Sequence, residues 1–83
     1  MTDNSAVEAS VVKQIAVEMG VEEAQVRRAG SLRGDVGMDS VAAANILFAL
    51  EELFEVELDL DEVISVDSVA DVVALLLAAE RSG

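Results

Sequence analysis

The stretch GMDSVAAANIL, residues 37–47, sets Asp39 and Ser40 directly ahead of an apolar, helix-forming run. A serine hydroxyl becomes a useful nucleophile when a base takes its proton, and this chain has no His and no Cys. Asp39, the immediate neighbour, cannot act as the third member of a triad whose second member is missing. Two readings remain. Either the pair caps a helix, since Asp and Ser are both good N-cap residues, or the serine carries chemistry that another protein performs on it.

The rest of the chain adds no catalytic centre. Asp59, Asp61 and Glu62 could hold calcium, but they lack the alternating ligands and central Gly of an EF-hand loop and read as a solvated face. Glu and Asp are numerous enough for a carboxylate pair, yet a bundle of 83 residues offers a sugar no cleft. The 17 carboxylates against five Lys and Arg give a net charge of −12, which repels nucleic acid and anionic lipid and attracts proteins with basic patches. Absence of Cys excludes disulfides and agrees with a reducing compartment. The longest wholly apolar run, VVALLLAA at 72–79, is far short of the roughly 20 residues that span a bilayer. The segment MTDNSAVEAS has neither the basic nor the apolar part of a signal peptide, so a soluble cytoplasmic monomer is expected.

Hydrophobic residues make up 53% of the chain, with two Phe and no Trp or Tyr. A core of Val, Leu, Ile, Ala and Met suits helices packed on helices. Ser5 and Glu8 form a capping-box pattern ahead of Val7, Val11, Val12 and Ile15, which predicts a helix from about Ala6 to Met19, stopped by Gly20. Val21 to Ser40 reads as a long connection containing Gly30, Gly34 and Gly37, with one helical turn at Glu22 to Val26. Its apolar residues Val21, Val26, Leu32 and Val36 would staple it to the helices, so the loop should be ordered. A connection this long in a compact domain implies a job.

The second helix should run from Ser40 to about Phe54, with Val41, Ala44, Leu47, Leu50 and Phe54 as its core stripe. Asp61 to Ile64 suggests one more turn, and VEL at 56–58 has no evident partner strand. Asp67 or Ser68 would cap a last helix with Val69, Val72, Val73, Leu76 and Leu77 inward and residues 80–83 frayed. The expectation is an all-α fold in one domain, residues 1–83 with a core of about 5–79: three main helices, one short helix, and a long ordered loop between the first two main helices.

GDVGMDSVAAANILFALEELFEVEL resembles the carrier-protein signature, D-x-G-x-D-S followed by an apolar residue and a helix ending in L-E-E-x-F. The likeness extends through MGVEEAQVRRAGSLRGD upstream and VISVDSVADVVALL downstream, covering about residues 7–77. It implies an acyl carrier protein without catalytic residues of its own. Ser40 would be esterified to 4'-phosphopantetheine, delivered from coenzyme A by a separate phosphopantetheinyl transferase that brings magnesium and the base. Asp39 and Gly37 would be the flanking motif. The arm ends in a thiol, which accounts for a thioester carrier without Cys. A helix N-terminus suits a phosphodiester, and Gly37 allows the tight turn that exposes the serine.

In that family the second helix docks acyltransferases, ketosynthases and other acyl-processing enzymes, usually through acidic residues. Helical spacing from Ser40 places Val41, Asn45, Phe48 and Glu52 near one surface, with Ala42 and Glu51 at its margin. Here the first turns read VAAAN, while Glu51, Glu52 and Glu55 gather at the far end. Phe48 is either core or an exposed contact beside the serine. The departure favours a discrete carrier of a specialised polyketide pathway over a housekeeping fatty-acid one. Carriers of nonribosomal peptide synthesis more often read G-G-x-S, so GMDS favours the acyl type. From another class, the rival is an unmodified acidic helical module that binds a basic partner.

Overall fold

The computed structural model describes residues 4–82, with side chains through Glu80. Six helices follow in order: α1 (Asn4–Met19), α2 (Glu23–Arg28), α3 (Leu32–Asp35), α4 (Ser40–Phe54), α5 (Leu60–Ser65) and α6 (Val69–Ser82). Among the described residues there is no strand, and no helix is long and apolar enough to cross a membrane.

Helix α1 turns Val7, Val11, Val12, Ile15 and Ala16 into the core. It begins before Ser5, which therefore lies inside the first turn rather than capping it. Glu8, expected to complete that capping box, reaches Arg27 of α2 at 3.2 Å instead. Gly20 ends the helix as expected: it takes a left-handed φ of 67°, and the Val21 amide donates back to the Ala16 carbonyl at 3.1 Å.

Helix α4 has the expected bounds but a different inner face. Ala42, Ala43, Ile46, Leu47 and Leu50 are buried, whereas Val41 is 68% exposed and Ala44 and Phe54 are half-buried. Every residue from Val41 to Leu50 except Asn45 is apolar, so periodicity alone does not select a face. Packing against α1 and α5 selects it.

The segment Val21–Ser40 holds two short helices where one turn was expected. The Glu22 amide donates to the Gln25 side chain at 3.1 Å to open α2, and Val26 and Leu32 are buried as the proposed staples. Asp59 accepts the Asp61 amide at 2.9 Å to open α5. Ser68 takes the cap of α6, accepting the Asp71 amide at 3.1 Å. Val72 and Leu76 are fully inward, and Val69, Val73 and Leu77 pack against the core from its edge. Helix α6 continues to Ser82, across most of the segment expected to fray, and Gly83 lies outside the described residues. Among the described residues the buried side chains are all apolar.

Candidate functional site

The chain reaches Ser40 through a loop most of whose amides are engaged. Ser31 opens α3, its hydroxyl accepting the Gly34 amide at 3.0 Å. Asp35 folds back to accept the amides of Gly30 at 2.7 Å and Ser31 at 3.1 Å. The carbonyl of buried Leu32 receives the amides of Val36 at 3.2 Å and Met38 at 3.1 Å. Gly37 then takes a φ of 75°, a conformation with a steric cost for any side chain, and this lets the backbone reverse. Met38 plugs into the core at 5% exposure, and the next two residues emerge at the surface.

The ambiguity between cap and carrier is divided between the two residues. Asp39 is the cap: its Oδ1 accepts the Ala42 amide at 2.8 Å, and its carbonyl accepts the Ala43 amide at 2.8 Å. Ser40 is the first helical residue, exposed, with no hydrogen bond to its hydroxyl among the described residues. No acidic side chain follows in the first turn of α4, so the partial positive charge of the helix end is offset there by the Asp39 cap alone.

The expected partner face separates into exposed and committed residues. Val41 is 68% and Phe48 60% exposed, so Phe48 is not core. Glu52 is also exposed. Asn45 donates from Nδ2 to Glu18 at 3.0 Å, tying α4 to α1. Glu51 accepts the Leu58 amide at 2.8 Å and fastens the loop after α4, where Glu55 adopts a left-handed φ of 55°. Ala42 is buried. Neither commitment is readable from helical spacing, because each partner lies beyond the helix.

Of the two cap candidates for α6, Ser68 takes the cap, and Asp67 has another role. Its Oδ2 accepts the Ser31 hydroxyl at 2.6 Å, its Oδ1 accepts the Arg33 amide at 2.8 Å, and its carbonyl accepts the Leu32 amide at 2.9 Å. The Ser31 hydroxyl first, then the Arg33 amide and charge and the Leu32 amide, hold its carboxyl below the ordinary value.

An open cavity of about 1190 Å³ lies at the other end of α4, between Leu53 to Asp59 and the Leu75 to Glu80 part of α6. It does not touch Ser40. Among the described residues Asp59, Asp61 and Glu62 do not converge as a cation site.

Residues 9–76 match the family model described as the phosphopantetheine attachment site. The chain belongs to the phosphopantetheine-binding carrier family. An acyl carrier protein from Akkermansia muciniphila is 37% identical over 76 residues, spanning 92% of this chain and 94% of that protein. Membership brings a covalently attached 4'-phosphopantetheine as the carrier's cofactor. The first turn of α4 fits such a group, being exposed, free of carboxylates after the cap, and furnished with an unengaged hydroxyl.

Proposed function

We propose that the chain is an acyl carrier whose Ser40 holds the 4'-phosphopantetheine arm. The observation that supports this most directly is the exposed, unpartnered Ser40 hydroxyl in the first turn of a capped helix, inside the residues that match the family. With no His or Cys, and no side chain hydrogen-bonded to the Ser40 hydroxyl among the described residues, the chain supplies position rather than catalysis. A phosphopantetheinyl transferase takes the proton from Oγ, a new Oγ–P bond forms, and the phosphoanhydride bond of coenzyme A breaks with its electron pair leaving on adenosine 3',5'-bisphosphate. When attached, the arm supplies a thiol that carries an acyl group as a thioester. The protein fixes the hydroxyl at a helix end where amide dipoles favour the added phosphate, and it keeps the site open to a partner.

The cargo belongs to polyketide or fatty-acid-like biosynthesis, and the apolar start of α4 favours a specialised pathway. A partner docking beside Ser40 meets Val41 and Phe48 rather than carboxylates. The test is incubation with coenzyme A, magnesium and a promiscuous transferase, followed by intact mass, beside Ser40→Ala. The expected result is a gain of one phosphopantetheine in the natural chain and none in the variant. No gain with several transferases would instead favour an unmodified acidic module.

A further inference from the structure

We infer that Asp67, on the α5–α6 connection, is a positioning residue for the modification of Ser40; this rests on Ser40 being the attachment point. Every link is a hydrogen bond or a buried anchor. Asp67 grips the start of α3 at three consecutive residues: the Ser31 hydroxyl, the Leu32 amide and the Arg33 amide, at 2.6, 2.9 and 2.8 Å. The sequence separation is 36 residues for the first and 34 for the last, so local propensity does not create the contact. Leu32, held in the middle of this grip, offers its carbonyl to Val36 and Met38. Met38 lies two residues ahead of Ser40 and is itself buried.

Position therefore passes from Asp67 through Leu32 and Met38 to the Asp39 cap and Ser40. Without the carboxylate, Ser31 loses its acceptor and Arg33 loses the partner of its amide, so the two bonds that flank Leu32 go, while the Leu32 amide keeps the main-chain carbonyl of residue 67, Ser31 still caps Gly34 and Asp35 still closes the loop. The predicted consequence is a loosened α3 on an otherwise folded bundle. The segment Leu32–Asp35 is four residues long and includes Gly34, so it has little helical stability of its own.

A transferase must find the loop in one arrangement, and its apparent affinity falls by the fraction of molecules that hold it. Asp67→Ala should therefore raise KM for the carrier about tenfold while kcat changes by less than about twofold. Asp67→Asn keeps an oxygen for the Arg33 amide but puts an NH2 donor where Oδ2 accepted the Ser31 hydroxyl, and should restore part of the loss.

The experiment measures initial rates of phosphopantetheine transfer against carrier concentration, well below the melting temperature of each variant, with hydrogen exchange on the same samples. Support is a KM effect in Asp67→Ala, partial rescue in Asp67→Asn, and faster exchange confined to the amides of Arg33, Gly34 and Met38. Unchanged KM in the folded Asp67→Ala protein overturns the inference, as does faster exchange spread evenly over α1 and α6. Failure of the natural chain to be modified at all would sink the Ser40 reading instead, so the two failures are distinguishable.

Discussion

The two ends of α4 are built on opposite plans. At the Ser40 end, the loop from Gly30 to Asp39 uses Ser31, Asp35, Asp39 and the incoming Asp67 to engage amides, and the helix face that follows is apolar and exposed at Val41 and Phe48. At the Phe54 end, one carboxylate, Glu51, fastens the loop, while Glu55, Glu57 and Asp59 stand exposed beside an open groove. Fine positioning is thus concentrated beside the proposed attachment serine. Charge is concentrated where it can act at a distance, steering basic partners without crowding the serine.

The largest effect that would test this division is at Leu50, which is 1% exposed in the core beneath the later turns of α4. Leu50→Ala should lower stability by about 2–5 kcal/mol, read by thermal or urea unfolding. Below its melting temperature the variant should still accept the arm with a KM near that of the natural chain. A tenfold rise in KM would mean that the two ends are not independent.

Phe48→Ala addresses the apolar face. At 60% exposure the ring contributes little to the core, so the melting temperature should barely move, while acyl transfer by a partner enzyme slows about fivefold, the effect of losing a contact worth about 1 kcal/mol. That loss should persist at high salt, where attraction to exposed carboxylates is screened. Equal transfer rates with a large loss of stability would refute the contact.

The smallest effect is the acid response of the loop. Because the folded Asp67 carboxyl lies below the ordinary value of 3.8, its contribution is fully present above that value and is lost as pH falls through the folded value. The gap in melting temperature between the natural chain and Asp67→Asn should therefore be constant near neutrality and close only below 3.8. A gap already closing near neutral pH would contradict the hydrogen bonds assigned to Asp67.

What could be read ahead of the structure followed from local signals. The bounds of α4, the Gly20 stop and the inward pair Val72 and Leu76 need only spacing and cap chemistry. Helix α3 was not legible, since four residues containing a glycine form a helix only because Asp67 and Asp35 hold their ends. The inner face of α4 is illegible for a different reason: a nearly uniform apolar run carries no phase, so spacing puts Val41 both in the core stripe and on the partner surface, where it lies, and leaves out buried Ala43. At the site, Ser40 and Asp39 are legible as a pair, but only the hydrogen bond to Ala42 tells which of the two is the cap.

The aliphatic interior has an optical consequence. Neither Phe is among the fully buried residues, and Trp and Tyr are absent, so the protein is almost transparent at the wavelengths where most proteins absorb and fluoresce. An aromatic acyl group loaded on the arm would be seen against a dark background. Its spectrum alone would then report whether the cargo rides in water or leans on the helices.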